Sequence, residues 1–191
     1  LQKLIMMVLA ATLAVGCASS EKEPAELAVT GLEKAASEAK PEIERFAPER
    51  MAGVDAAVAS VKSRFDAEDY AGALAGVQSA SGEVTSAAEA AAARKAQLST
   101  EWAGFTGMPA TVGQIEGRIA DLDAMRNLPR GMTKSTLDGA KTSLESAKDL
   151  WGEATEAQQD DDFVLAVSKA NQARPIIESL VKTLGVQAPA Q

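Results

Sequence analysis

The chain is 191 residues long, carries 19 Lys and Arg against 27 Asp and Glu for a net charge of −8, and has no His and one Cys. An acidic protein is repelled by nucleic acid and by anionic lipid faces, so neither is an expected partner. The missing His removes the commonest general base, the commonest zinc ligand and the usual pH switch, and a single Cys allows no internal disulfide. Ala dominates and no long run alternates with period two, so the composition predicts an all-α fold.

Leu4 to Val15 is an apolar run of about a dozen residues, the length of a secretory signal core and short of the ~20 that a spanning helix needs. Lys3 is the only charge ahead of it. Residues 1–16 are therefore predicted to be a signal peptide, with cleavage between Gly16 and Cys17. Leu13-Ala14-Val15-Gly16-Cys17 resembles the lipobox of bacterial lipoproteins, with Ala14 where Leu is usual. The resemblance implies a diacylglycerol on the Cys17 sulfur, removal of the leader and acylation of the new amino terminus. The membrane is then a partner through lipid. Each buried CH₂ contributes ~0.8 kcal/mol, so two or more chains hold stably. Ala18 and Ser19 after the Cys, with no Asp there, imply the periplasmic face of the outer membrane. Losing the leader removes Lys3 alone, leaving the mature chain at −9.

Residues 17–45 are expected to be a lipid-tethered linker with a marginal helix. Ala18 to Glu23 is small, polar and charged, the composition of a spacer. Ala25 to Lys40 has helical spacing at Leu27, Leu32 and Ala35/Ala36, weakened by Gly31, and Pro41 stops it or starts the next segment. Residues 46–103 read as a first helical hairpin. Pro48 suits a first helical turn, and Met51, Val54, Val58, Val61 and Phe65 recur at 3-4-3-4 spacing. Asp66-Ala67-Glu68-Asp69 breaks the pattern, and Asp69 is placed to cap a second helix. That helix carries Tyr70, Leu74, Val77, Val84, Ala88, Ala91, Leu98 and Trp102 in line, interrupted by Ser81 and Lys95.

Residues 104–131 read as a loop and a short helix with Val112, Ile115, Ile119, Leu122 and Met125, ended by Leu128-Pro129-Arg130-Gly131. Residues 132–185 read as a second hairpin. Thr133 or Ser135 caps a helix with Leu137, Ala140, Leu144, Ala147, Trp151 and Ala154 in line, and Asp160-Asp161-Asp162 breaks it. Phe163, Ala166, Ala170, Ala173, Ile177, Leu180 and Leu184 form the last stripe; Pro175 is expected to kink that helix and Gly185 to close it. Residues 186–191 are an expected disordered tail. The predicted architecture is two antiparallel helical hairpins forming an elongated bundle, joined by a short helix.

The two hairpins share a junction. Asp69-Tyr70-Ala71-Gly72-Ala73 and Asp162-Phe163-Val164-Leu165-Ala166 both read Asp-aromatic-x-x-Ala, at an offset of 93 residues, which favours a duplicated hairpin over chance. The junction resembles the middle of a tetratricopeptide repeat, without the Trp, Leu, Gly and Tyr pattern of that family's first helix. Across most of the mature chain the composition is similar to small Ala-rich helical bacterial lipoproteins. That likeness implies fold and place, and no activity.

Candidate chemistry is sparse. Asp160-Asp161-Asp162 and Asp66, Glu68 and Asp69 lack the Asp-x-Asp-x-Asp-Gly spacing of a calcium loop, so they read as helix-start charge and no metal or other cofactor is expected. Lys134, Lys141 and Lys148 recur every seven residues, but Asp138 and Glu145 are interleaved, the pattern of a solvated face. Trp102, Phe105 and Met108 flank a two-glycine loop; exposed they would form a contact for a protein partner, and buried they would close the bundle. No phosphate loop, nucleophile elbow or paired catalytic carboxylate is present, so an enzyme is not expected. The functional expectation is a membrane-anchored periplasmic lipoprotein with a structural or adaptor role, through a protein partner or self-association along its narrow stripes. The alternative is a module holding an apolar small ligand between loosely filled helices.

Overall fold

The computed structural model describes residues 21–186, and among them the fold is all-α. The signal peptide, Cys17 and the tail beyond Val186 lie outside the described residues. Six α-helices follow in order: α1 Lys22–Phe46, α2 Met51–Asp66, α3 Tyr70–Ala103, α4 Met108–Ala124, α5 Lys134–Gln159 and α6 Phe163–Leu184. Helices α2/α3 and α5/α6 are the two antiparallel hairpins.

The expectation of a marginal helix in 17–45 is corrected. Helix α1 runs 25 residues and continues through Pro41. Its inner face is Ala25, Val29, Leu32, Ala36, Ala39, Ile43 and Phe46, an unbroken 4-3-4-3-4-3 stripe packed on the core. Leu27 does not belong to that stripe and is 78% exposed. The sequence misleads here because three of the seven inner positions are Ala, which adds little hydropathy, while Leu27 stands off phase. Pro41 is tolerated because both it and Ser37, whose carbonyl it cannot bond, face solvent. The break comes later, at Ala47, whose helical conformation is disfavoured by Pro48 after it.

Helix α2 returns antiparallel to α1, with Lys62 near its end paired to Glu33 in the first half of α1. Helix α3 then packs closely on α2: a Cβ at Gly76 would stand 3.1 Å from Val61 Cγ2. Helix α4 was expected only to join the hairpins. It is the third helix of the second half, fixed to α5 through Lys148–Glu116 (2.9 Å) and Lys141–Asp123 (2.6 Å) and to the end of α6 through the Arg118 Nε–H donating to the Leu184 carbonyl. The element that joins the halves is α3, 34 residues and about 50 Å long.

The two hairpin tips are the same structure 93 residues apart. In the first, the N–H groups of Ala67, Glu68 and Asp69 donate to the carbonyls of Ser63, Phe65 and Arg64. In the second, those of Asp160, Asp161 and Asp162 donate to Glu156, Gln158 and Ala157. Both are Schellman closures, with Glu68 (φ 62°) and Asp161 (φ 61°) in the left-handed region. In both, the next residue caps the following helix: Asp69 accepts from Gly72 N–H at 2.9 Å and Asp162 from Leu165 N–H at 3.1 Å. Thr133, not Ser135, caps α5, and Gly185 closes α6 at φ 64°. The helix α6 runs without interruption across Pro175.

The core is thin. Of the 32 buried apolar residues among those described, 13 are Ala, and no polar or charged residue is buried. The large contributions come from Ile43, Ile115 and Leu122, each fully enclosed and worth about 1.5–3 kcal/mol. The tips lead to the first prediction. Glu68 is exposed and its side chain makes no contact that offsets its left-handed backbone, so Glu68→Gly raises stability by about 1 kcal/mol in urea unfolding. Asp161→Gly gains less, because the Asp161 carboxylate holds Lys95.

Candidate functional site

The residues singled out as a partner contact lie where the halves meet, and they face inward. Phe105 is 2% exposed, Met108 is buried and Trp102 is half-buried, so of the two readings of Trp102, Phe105 and Met108 the buried one holds rather than the partner contact: they close the bundle. Trp102 at the end of α3 stacks on Trp151 of α5, centroids 5.3 Å apart and planes 6° from parallel. Phe105 lies 6.1 Å from Trp102, and the Arg174 guanidinium of α6 caps its ring at 4.4 Å. The chain turns between α3 and α4 so that both cover the same hairpin, with the two glycines in ordinary right-handed helical conformation. Gly104 closes α3 and Gly107 opens α4.

Polar contacts surround this aromatic stack. Lys95 of α3 pairs with Asp161 at the second tip and with Glu42 of α1 at 3.6 Å, and its ammonium stands 5.4 Å from the Phe46 ring. The hydrogen bond from Lys95 to Asp161, with the charge of Glu42 beside it, raises the lysine pKa above its ordinary 10.5 despite partial burial. Asn171 of α6 donates to Glu101 of α3 at 3.1 Å. Sequence patterning marked Lys95 as an interruption of a stripe. Its role as the side chain that ties α1, α3 and the second tip together has no local signal, since its partners are distant in sequence.

The lysine row resolves differently from the expected face. Lys141 and Lys148 are used to hold α4, Lys148 also pairing with Glu145 at 3.8 Å, while Lys134 makes no ion pair among the described residues. The acidic runs act as caps and tip residues, and no group of three or more potential metal ligands forms among the described residues. Cys17 lies outside the described residues. No described helix is long and apolar enough to cross a membrane.

Two open surface grooves remain. One, of about 500 Å³, runs between α5 and α6 and is lined by Thr136, Ser143, Ser179 and Thr183 together with the apolar Ile176 and Leu180. The other, of about 360 Å³, lies at the α4–α6 end beside Gln114, Arg118 and Asp121. Neither brings a nucleophile, a base and an oxyanion donor together. Comparison with protein-family models, with curated proteins and with solved structures returns no match.

Two outcomes follow from the junction. Trp151→Ala removes half of the stack and lowers unfolding free energy by about 3 kcal/mol, measured in urea. The Lys95 contribution has a defined pH sign. Because its folded pKa is raised, the stabilisation is complete below pH 10.5 and is lost as the pH climbs beyond it. Lys95→Met therefore flattens the alkaline fall in melting temperature without creating one at acid pH.

Proposed function

We propose that the chain is a lipid-anchored protein of the bacterial cell envelope with a structural or adaptor role, held by acyl chains on Cys17. The lipobox-like Leu13–Cys17 run supports the anchor, and α1 begins at Lys22, five positions after that Cys, so the folded body starts beside the tether. The Ala18-Ser19 pair supports the periplasmic face of an outer membrane as its place.

The observation that carries the structural role is the kind of body that follows. Its apolar interior is filled by short side chains, and no described polar or charged residue is buried. A catalytic or ligand-binding site usually keeps a few polar groups converging in a concave pocket. Here the groove between α5 and α6 mixes four hydroxyls with Ala140, Pro175, Ile176 and Leu180 and lies open at the surface, so it does not enclose an apolar ligand between helices. What the body offers to a partner is its outer helix faces and its two ends.

The anchor is tested by intact-mass measurement on material extracted from the envelope. The expected mass is that of a chain starting at Cys17 plus its acyl groups, and Cys17→Ser leaves the membrane fraction. A mature form that retains residues 1–16, or a Cys17→Ser chain held as firmly as the original, contradicts the proposal.

A further inference from the structure

The two hairpin tips have one backbone geometry, yet only the second is docked. Within the chain, Asp161 of the second tip sits against Lys95 on the side of α3, where the first half ends. The first tip presents Asp66, Glu68 and Asp69, all exposed, and Glu68 matches Asp161 to within a degree in φ. Helix α1 starts at this same end, since it runs antiparallel to α2, and adds Glu21, Glu23 and Glu26. Lys22, Lys62 and Arg64 are the cations there; Lys62 pairs with Glu33 and Arg64 donates to the Gly72 carbonyl.

The opposite end of the molecule gathers the end of α4, the start of α5 and the end of α6, and the loop there has the reverse charge. Residues 125–134 hold Arg126, Arg130 and Lys134 and no acid, and Lys182 lies in the last turn of α6. All four are exposed, and none takes part in an ion pair among the described residues. The acids at this end are Asp121 and Asp123 in the last turn of α4, the latter paired to Lys141, and Asp138 and Glu178, one turn from Lys134 and Lys182 without pairing to them. Each end also exposes one large apolar side chain, Leu27 at 78% on the acidic side and Met125 at 42% on the basic side.

We propose that the chain associates head to tail with a second copy of itself: the first tip of one copy docks on the Arg126–Lys134 loop of the next. The contact repeats between copies what the second tip does within one, an acidic left-handed corner seated on a cation at the end of a neighbouring three-helix unit. Guanidinium groups suit this role, since each can hold a carboxylate through two parallel N–H bonds. The interface is heterologous and leaves one tip and one loop free at its ends, so it builds an open row rather than a closed ring. It goes beyond the envelope role proposed above and does not depend on Cys17. With Cys17 lipidated, such a row lies along the lipid surface, because every anchor sits at an acidic end. Exposed ion pairs are individually weak and screened by salt, so assembly is concentration-dependent and favoured at low ionic strength.

Sedimentation velocity on the chain from Ala18 onward, which contains every described helix, tests this. At about 20 mM NaCl the unaltered chain forms species larger than one copy that grow with protein concentration and dissociate at about 0.5 M NaCl. The pair Arg126→Gln/Arg130→Gln and the pair Asp66→Asn/Glu68→Gln each sediment as single copies. Mixed in equal amounts they recover a two-copy species and nothing larger, since one keeps the tip and the other keeps the loop. A single copy at low salt for the unaltered chain, larger species in either variant alone, or no pairing in the mixture overturns the proposal. The salt series on the unaltered chain decides without relying on either variant.

Discussion

The structure depends on one helix serving two halves. The first two-thirds of α3 form the core of the α1–α2–α3 unit, and its last turns lie on the α5/α6 hairpin, where Trp102 stacks on Trp151 and Glu101 meets Asn171. A helix that serves two neighbours in succession can do so with one stripe whose side chains change in size. In α3 the stripe is Ala73, Ala80, Ala87 and Ala91 early and Leu98 and Trp102 late. Without the second half, Trp102 and Phe105 would be bare; without the first, Lys95 would lose Glu42 and the Phe46 ring. The halves are therefore not independent modules, although each is a three-helix unit with the same tip.

Alanine sets the character of the packing. Small side chains let helices approach closely, as at Gly76 against Val61, but each buries little area. Specificity of alignment then falls to features outside the apolar stripe: the two Schellman tips, the caps at Asp69, Thr133 and Asp162, and cross-helix ion pairs such as Lys62–Glu33 and Lys169–Glu153. Exposed pairs of this kind contribute little energy each. Their value here is in register, because a helix sliding by one turn on an Ala stripe meets an almost identical surface.

Much of this was legible in the sequence. The all-α class, both hairpins, the caps and the duplicated junction follow from apolar spacing and from Asp at helix starts, which are local signals. Helix α1 was under-read because Ala25, Ala36 and Ala39 carry weak hydropathy while exposed Leu27 and Pro41 draw attention to the wrong phase and the wrong end. The placement of α4 on α5 was hidden for a different reason: Lys141 and Lys148 have acids nearby in sequence, yet their firmest partners, Asp123 and Glu116, come from another helix. Around the candidate contact the residue types were legible, while the sequence left burial and exposure both open. Trp102, Phe105 and Met108 have the chemistry of an interface, and they form one, but between two parts of the same chain.

The central claim is that α3 rigidly sets one half on the other, so that the first tip and the end of α6 stand apart by the length of α3 plus the last turns of α6. Double electron–electron resonance between spin labels at Ala67→Cys and Thr183→Cys, with Cys17 replaced by Ser, reads that separation. The account predicts one narrow distance population centred at about 65 Å, from the rise per residue along α3 and α6. A broad distribution, or a population tens of ångströms shorter, would show that the halves fold back or move independently and would contradict it.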